Sequence, residues 1–182
     1  MRIVAGKYRG KILKEFELAT TKPTTDRVKE SIFNLIQFDV ADACVLDLFA
    51  GTGALGIEAI SRSAKQVIFV DFNLEAIKLI KENLKGIDGD YKVINNDFNS
   101  FLTTTKLKFD IVLLDPPYKT ELGIKAIDLL IKNNLLKDDA IIIFETSVDN
   151  KFELEYDGFN IKKKKYGNIV VFKMVKEQWN MR

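Results

Sequence analysis

Four aspartates stand where apolar runs give way to loops: Asp47 in Val45-Leu46-Asp47-Leu48, Asp71 after residues 67–70, Asp97 after Ile94-Asn95-Asn96, and Asp115 after Ile111-Val112-Leu113-Leu114. One acid in such a place is a common helix cap. Four of them, each at the carboxyl end of a strand-like run, put acceptors on a single rim of a sheet, where open α/β folds bind their ligands. The sharpest local group is Asp115-Pro116-Pro117-Tyr118. A diproline fixes two φ angles and removes two N–H donors, and the following proline holds Asp115 in extended geometry. The turn is stiff and offers acceptors only, the Asp115 carboxylate and the Pro116 carbonyl, with the flat face of Tyr118 beside them. That arrangement suits a planar ring bearing an exocyclic amine.

An aromatic amine is a poor nucleophile because its lone pair is delocalised into the ring. Two acceptors that hold its hydrogens localise the lone pair, so the catalytic work is mainly orientation, with Asp115 stabilising the cationic product and taking its proton. A base in a duplex has to be flipped out or already unpaired to reach such a corner.

The run Val45-Leu46-Asp47-Leu48-Phe49-Ala50-Gly51-Thr52-Gly53-Ala54-Leu55-Gly56 reads as strand, glycine turn and helix. Its glycines also satisfy the dinucleotide fingerprint, with Asp71 twenty positions after Gly51. Asp47 separates the two readings, because a carboxylate beside the turn repels a pyrophosphate and attracts a cation. S-adenosylmethionine carries a sulfonium and an ammonium and no phosphate. On this reading Asp47, Phe49, Gly51, Thr52 and Gly53 form its loop, Asp71 accepts two ribose hydroxyls, Asp97 accepts from the adenine amine, and Phe72 and Phe98 pack on the adenine ring. A nicotinamide oxidoreductase stays as the rival.

The elements that must position these groups follow a simple rhythm. Strands are expected near 43–48, 66–71, 91–95, 109–114 and 140–145, alternating with helices near 54–62, 73–86, 98–105 and 121–133, which predicts a doubly wound parallel α/β sheet. Two further strands near 159–165 and 168–175, joined at Gly167-Asn168, are connected too tightly to be parallel. The result is a seven-stranded, mostly parallel sheet whose last strand is antiparallel, an ending unlike that of dinucleotide folds. Residues 1–182 are read as one unit, with residues 1–22 a basic β-hairpin extension broken by Gly6 and Gly10 and residues 23–182 the core. After Pro23, Thr24 or Thr25 caps a helix reaching about Phe38, whose buried stripe is Val28, Ile32, Leu35 and Ile36, leaving Arg27 and Lys29 off that face.

Composition is that of an ordinary globular chain, 47% hydrophobic and 30% charged. With no histidine, Ser-His-Asp and Cys-His catalysis and histidine-containing zinc sites are excluded, and no metal is needed. No run approaches the length of a membrane span, no secretion signal opens the sequence, and the single Cys44 forms no internal disulfide, so the cytoplasm is the expected compartment and a monomer the expected state. Net charge is +2, yet residues 1–29 hold eight basic and three acidic residues. Lys7, Arg9 and Lys11 around Tyr8 are expected on the exposed hairpin face, as a polyanion-binding surface. Lys162-Lys163-Lys164-Lys165 reads either as an RNA contact or as a solvated strand face.

Three blocks of sequence carry a family resemblance. Arg2-Ile3-Val4-Ala5-Gly6 with Arg9-Gly10-Lys11, Pro23-Thr24-Thr25-Asp26-Arg27-Val28-Lys29-Glu30 with Phe33-Asn34, and Asp47 through Gly56 together resemble the RsmD family of class I S-adenosylmethionine-dependent methyltransferases. Asp115 through Tyr118 resembles the target-amine motif of the amino-methylating branch. The resemblance spans nearly the whole chain. It implies methylation of the N2 amine of a guanine in 16S ribosomal RNA, the assembled or assembling small ribosomal subunit as substrate, and Arg2, Arg9 and Arg27 as RNA contacts. Lys22 stands where the family usually has arginine and Thr52 where serine is frequent. A DNA adenine-N6 methyltransferase and a non-catalytic RNA-binding assembly factor with the same fold are the alternatives.

Overall fold

The computed structural model describes residues 1–16, 26–117 and 121–178. The expected caps Thr24 and Thr25, the end of the hairpin and Tyr118 lie outside them. Helix α1 (Asp26–Leu35) precedes β1 (Cys44–Leu48), and α2 (Ala54–Ser61), β2 (Gln66–Asp71), α3 (Leu74–Asn83), β3 (Tyr91–Asn95), α4 (Phe98–Thr104), β4 (Phe109–Leu114), α5 (Leu122–Lys132) and β5 (Leu136–Ser147) alternate after it. The chain then closes with β6 (Phe159–Tyr166) and β7 (Ile169–Lys176).

The seven strands lie in the order β3-β2-β1-β4-β5-β7-β6. The first five are mutually parallel, and β7 runs antiparallel to both β5 and β6. Only one strand is therefore reversed, because the turn at Gly167 and Asn168 is too short for a helical crossover. Strand β5 begins at Leu136, earlier than the apolar run alone indicated, and the β4–β5 register shifts between Phe109 and Ile111.

Alternate residues of the buried strands feed two apolar layers, as parallel strands covered on both faces require. On one side Val45, Phe69 and Val171 meet Val28, Ile32 and Phe33 of α1, Ile57 of α2 and Ile80 of α3; on the other Leu46, Leu48 and Phe172 meet Phe101 of α4 and Ile127 of α5. Asp47 shares the side of Val45, and this aims it at α2.

Residues 1–16 form a short antiparallel arm, bridged at Arg2 and Ile12, that lies along α2 and α3. Val4 and Ala5 donate backbone N–H groups to Glu58 at 2.8 and 3.0 Å, Lys7 N–H donates to the Ser61 carbonyl at 2.8 Å, and the returning Lys14 N–H donates to Asn83 Oδ1 at 2.8 Å.

Lys29 corrects the sequence reading. It is 0% exposed, its ammonium donates to the Arg2 carbonyl, and it stands 3.2 Å from Glu58 Oε2. Positions 29, 32, 33 and 36 form the i, i+3, i+4, i+7 stripe that faces the core, so geometry buries the lysine and Glu58, itself 0% exposed, compensates its charge. Burial still pulls the ammonium below the ordinary lysine range, against the raising effect of Glu58. Among the described residues no helix is long and apolar enough to cross a membrane.

Candidate active site

The carboxyl ends of β1, β2 and β4 open into one cleft of about 250 Å³. Asp47, Phe49, Gly51 and Thr52 line it from β1 and the glycine turn, Asp71 and Phe72 from β2, Phe98 from the start of α4, and Asp115, Pro116 and Pro117 from the end of β4. The turn after β1 and the corner after β4 thus face the same space. Tyr118 lies outside the described residues.

The glycine turn is built by hydrogen bonds to two of the acids. Asp71 Oδ2 accepts the Gly51 N–H at 2.8 Å and its Oδ1 accepts the Asn73 N–H at 2.8 Å. Asp47 is 1% exposed, and its Oδ2 accepts the Gly56 N–H at 2.8 Å from the first turn of α2. Burial pushes the Asp47 carboxyl up to about 8, the Gly56 N–H works against that, and the charges of Asp115 and Asp71 add to it. A β-carbon at position 56 would stand 2.2 Å from the Phe69 ring, so glycine is what lets α2 approach β2 closely enough for this contact. Phe49 holds a positive φ of 64°, an uncommon geometry for a residue with a side chain, and its ring meets that of Phe98 at 5.3 Å between centroids, tilted by 44°. Phe72, 73% exposed, forms the outer wall.

Two expected cofactor contacts stand elsewhere. Asp97 caps α4: its Oδ1 accepts the Ser100 N–H at 3.0 Å, and the bonds from Ser100 hold the carboxyl below its ordinary range. It is exposed and does not line the cleft; Asn96 does. Gly53 is buried, has φ 78° at the N-cap of α2 and packs against Ile80, shaping the turn from behind.

The basic residues do not form one surface. Arg2 and Arg27 are exposed beside the first turn of α1, where Arg2 Nε is 3.6 Å from Asp26, and the neighbouring Met1 lines the cleft. The arm's turn lies at the opposite end of the sheet, because Ser61 ends α2 and Asp88 precedes β3. There Lys7 is 3.2 Å from Asp88 and over the Tyr8 ring at 5.0 Å, Lys11 donates to the Lys85 carbonyl, and Arg9 is exposed. The hairpin face read from the charge count therefore points away from the cleft: the arm runs down α2 before it turns.

Met1, Glu15 and Phe16 also line the cleft, which sequence reasoning missed; only the fold brings the arm's two ends there. Asn83 completes that link, its Nδ2 donating to the carbonyls of Lys14 at 3.1 Å and of Thr52 at 2.9 Å. Among the described residues, the side chains lining the cleft include the acids Glu15, Asp47, Asp71 and Asp115 and no lysine or arginine. Asp71 and Asp115 on the wall disfavour a pyrophosphate, while the raised carboxyl of Asp47 adds little repulsion at neutral pH.

A 3-2-1-4-5-7-6 sheet with β7 reversed, carrying this cleft on the carboxyl ends of its central strands, defines a class I methyltransferase fold. The solved structure of the Escherichia coli protein yhhF superposes with a TM-score of 0.87 at 32% identity, over 97% of this chain and 98% of that one. The chain belongs to the family described as conserved hypothetical protein 95, the RsmD family, whose model matches residues 1–175. Among its relatives, ribosomal RNA small subunit methyltransferase D of Haemophilus influenzae is 36% identical over 179 residues, 96% of this chain and 92% of the relative. The Escherichia coli protein of the same name is 32% identical over 179 residues, 98% of this chain and 90% of the relative.

Proposed function

We propose that this chain methylates the exocyclic N2 amine of a guanine in small-subunit ribosomal RNA, using S-adenosylmethionine and acting on the assembled or assembling subunit. The observation that carries the reading is that the acceptor-only corner Asp115-Pro116 opens into the same cleft as Asp47, Asp71 and the glycine turn. Relatives named for small-subunit ribosomal RNA methylation favour RNA over DNA as the polymer.

The cleft fits the cofactor on its own chemistry: among the described residues the charged side chains on its wall are all acids, and its aromatic wall is Phe49, Phe72 and Phe98. S-adenosylmethionine supplies a methyl group on a cationic sulfur. Asp71 would accept the ribose hydroxyls with the lone pairs that Gly51 and Asn73 leave unused. Asn96, in place of Asp97, would meet the edge of the adenine. Asp47 would face the cationic tail. On the acceptor side, the Asp115 carboxylate and the Pro116 carbonyl hold the two amine hydrogens and turn the nitrogen lone pair into the cleft. Asp115 then takes the proton that the amine must lose. Tyr118 would stack on the guanine, which reaches the corner unpaired or flipped.

The test is to incubate the protein and isotope-labelled S-adenosylmethionine with unmodified small subunits, naked 16S RNA and duplex DNA, and to map the product by mass spectrometry. A single N2-methylguanine in the RNA is the expected product. Label in adenine N6 of DNA, or none in any substrate, would overturn the reading.

A further inference from the structure

Strand β6 is the outer strand of the sheet, and four successive residues on it, Lys162, Lys163, Lys164 and Lys165, are exposed lysines. The pairing register fixes their height. Leu114 of β4 lies opposite Phe144 of β5, Phe144 opposite Phe172 of β7, and Phe172 opposite Lys163. The next row runs through Glu145 and Val171 to Lys164, and this is the row of Asp115. Three strand spacings separate them, about 14 Å, or roughly four nucleotides of helical rise.

The two faces of β6 differ. Lys163 is 3.5 Å from Glu153 and lies over the Phe172 ring at 5.4 Å, on the α5 side, where the adjoining segment carries the exposed acids Asp149, Glu153, Glu155 and Asp157 and the single base Lys151. Lys162 and Lys164 share the opposite side, in register with Lys173 and Val171; Lys162 lines a surface depression there with Lys173, Lys176, Asp139 and Glu177, and among the described residues no ion pair joins either lysine to a carboxylate. Helix α1 covers this side, joined to α2 through Lys29 and Glu58 and to β7 through the Leu35 carbonyl, which accepts from Lys173 at 2.7 Å. Arg27, exposed on its first turn, belongs to the same side.

Lysines on an edge strand also guard it against pairing with another sheet, but adjacent like charges repel one another, and a guard needs no second lysine on the same face two residues away. A polyanion relieves that repulsion. We propose that Lys162 and Lys164 hold the RNA backbone a few nucleotides from the target base, so that recognition runs across α1 and the β6–β7 hairpin while the turn of the N-terminal arm stays free of RNA. This rests on the ribosomal RNA reading above.

The full-length double variant Lys162→Gln/Lys164→Gln tests it, with 16S RNA binding measured by filter retention from about 50 to 300 mM salt and methyl transfer measured in parallel. The slope of log affinity against log salt should become shallower by about 1.4 to 1.8, and the KM for RNA in about 0.1 M salt should rise on the order of tenfold. The values of kcat and of the Kd for S-adenosylmethionine should stay at wild-type level. Lys7→Gln/Lys11→Gln should leave slope and KM unchanged. A wild-type slope and KM in the β6 variant overturn the proposal, and so does self-association or loss of solubility without a change of slope, which would mark an edge guard only. If the wild-type protein neither binds nor methylates 16S RNA, the underlying functional reading fails first.

Discussion

Replacing Asp47 by asparagine separates electrostatics from packing, because the amide oxygen can still accept the Gly56 N–H that Oδ2 accepts at 2.8 Å. Burial pushes the Asp47 carboxyl from 3.8 to about 8. At pH 7 about nine molecules in ten then carry it neutral. A cationic ligand in the cleft favours the ionised form, so S-adenosylmethionine should displace about 0.9 proton at pH 7 and almost none at pH 9. Calorimetric titration in two buffers of different ionisation enthalpy counts that proton directly. The Kd should fall about tenfold per pH unit between pH 6 and 8 and level off above it, while Asp47→Asn abolishes the slope. Stability moves the other way. Between pH 4 and 8 the native chain holds a proton that the unfolded chain releases, so this contribution is complete below about pH 4 and is lost as pH rises through 8. Wild type should lose on the order of 1 kcal/mol per pH unit in that window relative to the variant. Proton release near zero at pH 7, together with a flat Kd, would mean that Asp47 is ionised before the ligand arrives and would refute the argument.

Three further outcomes follow from the site and its supports. Asp115→Ala should lower kcat by about 10²- to 10⁴-fold while the cofactor Kd stays within about threefold; a large loss of cofactor affinity instead would assign Asp115 to the wrong ligand. Asp71→Ala strands the Gly51 and Asn73 N–H groups and removes the ribose acceptor, so equilibrium dialysis should show the cofactor Kd rising roughly thirty- to a hundred-and-fiftyfold, from about 2 to 3 kcal/mol of lost charge-assisted bonding. An unchanged Kd would remove the ribose from Asp71. Among the described residues, Lys29→Met leaves the buried Glu58 with Arg62 as its one cationic partner, at 2.9 Å. By scanning calorimetry this should cost about 3 kcal/mol and about 6 to 12 °C of Tm, and a shift below about 2 °C would mean that the pair contributes no net stability.

The sheet was legible because parallel strands covered on both faces leave unbroken apolar runs, and Ile111-Val112-Leu113-Leu114 and Ile141-Ile142-Ile143-Phe144 sit in adjacent strands in direct register. The reversal of β7 was legible from the length of one turn. Asp47, Asp71 and Asp115 share a rim because each stands within one residue of the carboxyl end of its strand. Asp97 lies two residues past the end of β3, but its role turns on the Ser100 N–H at the start of α4, a local bond that composition does not distinguish from a ligand contact. Lys29 was misjudged because residue type outweighed helical period: nothing local announces that Glu58 waits in the core. The basic arm shows the same limit. Its charge is countable in the sequence, whereas its direction is set by Glu58, Ser61 and Asn83, and these carry Lys7 and Lys11 to the far end of the molecule.

The arm's anchors also set an order of assembly. Val4 waits for Glu58 across 54 positions, and Lys14 waits for Asn83 across 69. The arm is made before α2 and α3 yet finds its place only after them, since neither receptor exists until those helices have been made and packed. Because Met1, Glu15 and Phe16 furnish one side of the cleft, the ligand-binding surface is complete only when this earlier segment folds back over the later helices.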